Sequence, residues 1–267
     1  MKKSIGVREI RRLYRDGEKI TAATAYDAAM ARLADEAGID MLLVGDSLGM
    51  TMLGYKTTLP VTLRQSLHHT AAVVRGSKRA MVVGDMPFLT YQVSPERALL
   101  NAGRYLQEAG AAAVKLEGGE RIAETIARLV NSGIPVLGHI GILPQSVLAE
   151  GGYRIHGRSD EEAASLLLDA RAVEQAGAFA VVLEGLPRKL SARITETLTI
   201  PTIGIGAGPE CSGQIQVMHD LLGLFKDFVP KHCKRYADLG QAARDAFQKY
   251  RNEVREGVFP GPEQTVE

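Results

Sequence analysis

The chain has 267 residues, 45% of them hydrophobic and 24% charged, which is enough apolar material for the core of one large domain. Lys and Arg number 32 against 31 Asp and Glu, a formal charge of +1 that gives no basis for binding nucleic acid or an anionic membrane. Cys211 and Cys233 are too few for a disulfide scaffold and lack the spacing of a zinc site, so a reducing compartment is expected.

The basic N-terminus runs into Arg8-Glu9-Ile10-Arg11-Arg12 and not into an apolar segment, so no signal peptide is expected. No apolar stretch reaches about 18 residues, so a transmembrane helix is not expected either and a cytoplasmic protein is. Short apolar runs then alternate with stretches of helical period, placing strands near 20–26, 41–46, 80–85, 112–117, 134–139, 179–184, 200–205 and 215–224. The runs are nearly continuous in Val, Ile, Leu and Ala, as in strands covered on both faces, and eight of them with helices between predict a (β/α)8 TIM barrel. Ser94-Pro95 supplies a cap and a first-turn proline, Ser159-Asp160-Glu161-Glu162 reads as a capping box, and Gly38, Gly110, Gly133 and Gly177 close helices ahead of strands. One domain is expected over 1–267, with a last helix at about 238–256 carrying Ala243, Phe247, Tyr250 and Val254 on one stripe, and a loose tail over 257–267.

Acidic residues fall at the ends of the apolar runs: Val44-Gly45-Asp46-Ser47, Val83-Gly84-Asp85, Lys115-Leu116-Glu117-Gly118 and Val182-Leu183-Glu184-Gly185. Carboxylates at the carboxyl ends of successive barrel strands converge on one mouth, and such a mouth suits a hard cation such as Mg²⁺ and proton chemistry. The competing reading is that Asp46 and Asp85 merely cap the next helices. Lys115 and Glu117, two apart on one strand, face the same way, either as a substrate-carboxylate ligand beside the metal's outer shell or as a buried ion pair. His139, in Gly138-His139-Ile140-Gly141, is either a satisfied hydrogen-bonding residue or a participant at the mouth. Glu184 suits a general base in an apolar setting, with a salt-bridged or capping glutamate as its alternative.

Gly204-Ile205-Gly206-Ala207-Gly208 fits a tight turn better than a nucleotide motif, because it lacks the dinucleotide spacing and no Gly-Lys-Ser/Thr follows. Residues 150–158 form a glycine-rich basic insertion, a lid or an ordinary surface loop.

Nearly the whole chain, in order, resembles the ketopantoate hydroxymethyltransferase family. The resemblance is carried by Thr21-Ala22-Ala23-Thr24-Ala25-Tyr26-Asp27, Val44-Gly45-Asp46-Ser47-Leu48-Gly49-Met50, Thr58-Leu59-Pro60-Val61-Thr62, Gly84-Asp85-Met86-Pro87-Phe88, Val114-Lys115-Leu116-Glu117-Gly118-Gly119, Gly138-His139-Ile140-Gly141 and the 204–208 turn. It implies a barrel of the phosphoenolpyruvate mutase/isocitrate lyase type that moves the one-carbon unit of 5,10-methylenetetrahydrofolate to C3 of 3-methyl-2-oxobutanoate, giving 2-dehydropantoate for pantothenate and coenzyme A. It further implies one Mg²⁺ per subunit on Asp46 and Asp85 with Glu117 near it, Ser47 and Lys115 at the substrate carboxylate, His139 at the substrate site, Glu184 as proton acceptor, and a homodecamer. Ile140 and Leu143 stand where the family carries Leu and Thr, and Ala149-Glu150 also departs from its pattern, which bears on substrate preference and loop behaviour.

Two rivals stay in view: a related Mg²⁺-dependent 2-oxo-acid lyase or mutase, and a catalytically silent binding subunit. The lyases need a cysteine-bearing loop, and no cysteine lies between Met1 and Glu210. A silent subunit would be free to lose Asp46, Asp85, Lys115 or Glu184, and all four are present.

Overall fold

Parallel strands buried on both faces need apolar side chains of both parities, and most of the eight observed strands have them. They are β1 (Ile20–Thr24), β2 (Met41–Val44), β3 (Met81–Asp85), β4 (Ala113–Glu117), β5 (Val136–Gly141), β6 (Ala180–Glu184), β7 (Thr202–Ile205) and β8 (Gly213–Gln216). Each pairs in parallel with the next, and β1 pairs with β8, so the sheet closes into a barrel in sequence order. The structure is a computed structural model describing residues 4–225 and 231–266; the basic start of the chain and the last residue of its tail lie outside that range.

The helices, in chain order, are α1 (Val7–Arg15), α2 (Ala28–Glu36), α3 (Leu48–Thr51), α4 (Leu63–Gly76), α5 (Pro95–Gln107), α6 (Ala123–Asn131), α7 (Asp160–Gln175), α8 (Arg188–Thr197), α9 (Met218–Leu221) and α10 (Leu239–Arg255). Side chains start several of them: Asp27 accepts from the amides of Ala29 and Met30, Ser94 from Arg97 and Ser159 from Glu162, each satisfying an orphan N–H. Thr62 and Gln65 form a reciprocal capping box that the sequence reading passed over. The box read at Ser159 is only half made, because the Glu162 carboxylate turns to the amides of Gly157 and Arg158 and fastens the end of the 150–158 segment.

The eighth strand corrects the sequence reading. It lies at 213–216, and residues 218–221 of the apolar run chosen for it form α9. In Gly-Gln-Ile-Gln only Ile215 enters the barrel core, while Gln214 donates to the Gly208 carbonyl. A strand with one inward apolar residue carries little periodic signal.

The chain divides into two compact units, Met1–Val217 and Met218–Glu267. Within the second, Tyr236 donates its amide to Leu221 and Tyr250 meets the ring of Phe259 edge-on at 5.4 Å. It also includes a 3₁₀ turn at Pro262–Gln264. Within the first, two apolar clusters divide the barrel. Val114, Leu116, Val136, Ile140, Val181 and Leu183 join the surrounding helices, whereas Met41, Leu43, Met81, Val83, Ala113, Leu137, Val182 and Ile203 fill the interior together with Ile5, Ile10 and Leu13 at its foot.

Candidate active site

Side chains two apart on a strand share a face, so the interior residues fix what stands above them. Asp85 follows Val83, Lys115 and Glu117 follow Ala113, His139 follows Leu137, and Glu184 follows Val182. All five therefore point inward at the carboxyl end of the barrel. Register sets Asp85 opposite Lys115, Glu117 opposite His139, and Gly141 opposite Glu184, so they rise in successive steps around the mouth. Asp46 lies two residues beyond β2, its amide donating to Asp85 Oδ2 at 3.0 Å.

Lys115 Nζ is 2.9 Å from both Asp85 carboxylate oxygens and 3.3 Å from Glu117 Oε1. His139 sits between Glu117 and Glu184, Nδ1 3.6 Å from the first and Nε2 3.2 Å from the second, with neither contact aligned as a hydrogen bond. Ser47 Oγ is 2.8 Å from the Tyr26 hydroxyl. A Cβ added at Gly45 would lie 2.9 Å from Ser47 Oγ and 3.8 Å from Asp85 Oδ2, so the glycine lets the serine close on the acidic group. Asp46 caps no helix: the N-cap of α3 is Ser47, which makes no side-chain cap, and the Asp46 carboxylate receives Gln145 instead.

Asp46, Asp85, Lys115, Glu117 and His139 are all buried, whereas the Glu184 side chain keeps 22% of its surface and faces the imidazole, not the apolar setting expected for it. Burial pushes the Asp46 carboxyl well above the usual carboxylate range, and the charges of Asp85 and Glu117 push the same way. Burial also raises Asp85, with Lys115 pulling it back. For Glu117 burial is outweighed by Lys115 and His139, which bring it down to about 2. Burial works against the Lys115 ammonium, but Asp85, Glu117 and Asp46 together hold it well above its ordinary value. His139 is lowered by burial and by Lys115, then raised to about 9 by its two glutamates.

Two residues at the heart of this group went unread in the sequence. Gln145, in a 3₁₀ turn after β5, donates to Asp46 Oδ2 at 3.1 Å and to the Met86 carbonyl at 3.0 Å, and its amide donates to Glu117 Oε2 at 3.1 Å. The Tyr91 hydroxyl is 2.9 Å from Gln145 Oε1 and accepts the Glu117 amide at 3.1 Å. Neither is acidic, basic or glycine-flanked at a strand end, so a search for titratable groups on apolar runs does not find them.

The donor set fits a divalent cation of the hard kind. Three buried carboxylates face one ammonium and an imidazole, which leaves negative charge in excess, and the Asp46 carboxylate accepts a single hydrogen bond among the described residues, leaving most of its lone pairs free. Among the described residues no three His, Cys, Asp or Glu side chains are spaced to hold a metal by themselves. Mg²⁺ sites commonly take one or two carboxylates, with substrate or water oxygens completing the shell. A cleft of about 680 Å³ lies among Arg8, Arg11, Arg15 and Pro201 and contains none of these groups.

Comparison with known proteins decides the family. The model of the ketopantoate hydroxymethyltransferase family matches residues 4–262. This chain belongs to that family. The 3-methyl-2-oxobutanoate hydroxymethyltransferase of Chloroflexus aurantiacus is 60% identical over 259 residues, covering 97% of this chain and 92% of the relative. The enzyme of that name from Syntrophus aciditrophicus is 57% identical over 251 residues, 94% and 92% of the two chains. Among solved structures, 2,3-dimethylmalate lyase, a phosphoenolpyruvate mutase/isocitrate lyase superfamily member, superposes with a TM-score of 0.61 at 19% identity, over 99% of this chain and 93% of its own. The phosphoenolpyruvate phosphomutase of Streptomyces platensis gives 0.63 at 16% identity, over 95% and 88%. At such identities the likeness is one of fold, the closed parallel (β/α)8 barrel.

Proposed function

We propose that the chain is a 3-methyl-2-oxobutanoate hydroxymethyltransferase, which joins the one-carbon unit of 5,10-methylenetetrahydrofolate to C3 of 3-methyl-2-oxobutanoate in pantothenate biosynthesis. The observation that carries the reading is family membership over nearly the whole chain, joined to the ring of Asp46, Asp85, Lys115, Glu117, His139 and Glu184 at one barrel mouth.

In this reading Asp46 and Asp85 hold Mg²⁺, with Glu117 behind them. Bound there, the ion would act as a Lewis acid on the keto oxygen of the substrate. Lys115 and Ser47 orient the substrate carboxylate, fixing C3 toward the exposed edge of the site where Glu184 stands. Glu184 takes the C3 proton, and the electron pair left at C3 bonds to the folate methylene carbon as that carbon's bond to one folate nitrogen breaks. Water then replaces the second nitrogen on that carbon as the hydroxyl; the proton from C3 and the one left by water end on the two freed nitrogens, so that two substrates and one water give ketopantoate and tetrahydrofolate. His139, between Glu117 and Glu184, keeps the accepting carboxylate oriented toward the site. Assembly as a homodecamer and a cytoplasmic location belong to the same reading through the family; sedimentation of the purified protein checks the first. No helix among the described residues is long and apolar enough to cross a membrane.

The testing experiment is proton NMR of 3-methyl-2-oxobutanoate in deuterated water with protein and Mg²⁺, before and after adding methylenetetrahydrofolate. Metal-dependent loss of the C3 proton followed by appearance of ketopantoate supports the reading, and neither event would return the choice to a related 2-oxo-acid enzyme or a silent subunit. Glu184→Gln should stop the exchange; unchanged exchange places the base elsewhere. Asp85→Ala should abolish metal-supported turnover, and an active variant would sink the metal assignment.

A further inference from the structure

Gln145 stands out because its side-chain amide is fully committed. Its two N–H groups point at two acceptors, Asp46 Oδ2 and the Met86 carbonyl, and its oxygen lies 2.9 Å from the Tyr91 hydroxyl and 3.0 Å from Gln92 Nε2. Flipping the amide would turn its oxygen onto two acceptors and its nitrogen onto the Gln92 donor, so only one orientation is compatible with the surroundings. Its backbone amide meanwhile holds Glu117 Oε2, and Tyr91 holds the Glu117 amide. One residue from the turn after β5 therefore ties the carboxylate beyond β2 to the carboxylate ending β4. A cavity of about 430 Å³ adjoins it, lined by Phe88, Arg121 and Thr125 together with Tyr91, Glu117 and Gln145.

We propose that Gln145, braced by Tyr91, is a positioning residue that sets the Asp46 carboxylate for divalent-cation binding and so for turnover. The inference rests on the metal reading above. Asp46 lies beyond its strand and its carboxylate has no other side-chain donor among the described residues, so without the Gln145 amide a buried carboxylate facing Asp85 and Glu117 is free to rotate. Groups that orient a metal-binding carboxylate change metal affinity or activity by about 10–100-fold when removed.

The test is electron paramagnetic resonance of Mn²⁺ binding to the full-length protein, with Mn²⁺ standing in for Mg²⁺. It compares wild type, Gln145→Met, Tyr91→Phe and, as the control for the metal site, Asp85→Ala. Gln145→Met keeps the length of the side chain and removes every hydrogen bond that side chain makes. It should bind Mn²⁺ about 10–100-fold more weakly, with C3 exchange partly restored at high metal concentration. Tyr91→Phe removes one hydroxyl and should weaken binding in the same direction by a smaller factor, which settles the matter if Gln145→Met fails to fold. A purely structural role would lower thermal stability while leaving Mn²⁺ affinity per folded molecule unchanged. Affinity within twofold of wild type in a folded variant, with Asp85→Ala defective, overturns this inference alone. Absence of Asp85-dependent Mn²⁺ binding in the wild type overturns the metal reading and this inference with it.

Discussion

Gly84→Ala tests how the helix layer holds the site. Gly84 immediately precedes Asp85 on β3, and a Cβ there would lie 2.6 Å from Tyr105 Cε1 and 3.3 Å from Cγ, closer still to Cδ1. The ring would have to retreat by close to an ångström, yet it is fully buried and its hydroxyl lies 2.7 Å from Ser66 Oγ and 2.8 Å from the Asp85 carbonyl. Overpacking of this kind costs about 1–3 kcal/mol, and loss of one or two of these hydrogen bonds adds about 1 kcal/mol each. In a chain of this size that lowers the thermal midpoint by about 5–10 °C. The assay is thermal unfolding of wild type, Gly84→Ala, Tyr105→Leu and the double variant. If the clash is the cause, the double variant is more stable than the sum of the single effects implies, because the smaller leucine side chain leaves room for the methyl. A Gly84→Ala midpoint within about 1 °C of wild type, or strict additivity, refutes the reasoning.

Asp46→Asn should stabilise the metal-free protein while removing metal-supported activity. The folded pKa of Asp46 lies above its unfolded value, so the native state binds more protons than the unfolded chain above about pH 4, and stability falls as pH rises from there through the folded pKa. Denaturant titrations across pH should therefore show a flatter profile for Asp46→Asn, and Mg²⁺ should raise the midpoint of wild type but not of the variant. Gly141→Ala should reduce C3 exchange more than Ala substitution in an exposed helix does: Gly141 has φ 101°, and a Cβ there would strike the Glu184 carbonyl. Wild-type exchange in that variant would mean that the β5–β6 contact does not place Glu184.

Seven of the eight strands and the mouth they build were legible because a parallel strand buried on both faces has to be apolar nearly throughout, so a carboxylate at its end stands out. Asp85, Lys115, Glu117 and Glu184 are such interruptions. β8 was not legible because its neighbours supply most of its packing, leaving Ile215 as its one inward apolar side chain. Gln145 and Tyr91 escaped for a different reason. Their significance is a set of hydrogen bonds reaching 28, 54 and 99 residues along the chain, and no local pattern encodes partners that distant. The setting of Glu184 was misjudged because the apolar residues before it describe its strand, while its side chain lies past the last buried layer beside His139.

The alternation of parity along each strand separates stability from chemistry on a single face. Inward positions one step lower, Val83, Ala113, Leu137 and Val182, belong to the apolar interior, and the next inward positions, Asp85, Lys115, His139 and Glu184, belong to the site. Truncating the lower layer removes packing and costs a few kcal/mol with the polar groups still in register. Changing the upper layer alters charge in a place already strained by it: burial disfavours each carboxylate, and Lys115 answers Asp85 and Glu117 more directly than it answers Asp46. Among the three buried carboxylates, Asp46 is thus the one whose charge the protein itself compensates least, and also the one whose oxygens are least committed to hydrogen bonds. If the proposed cation binds there, such a site gives up some stability when empty and regains it on binding, so cation affinity and the instability of the empty fold would have one source.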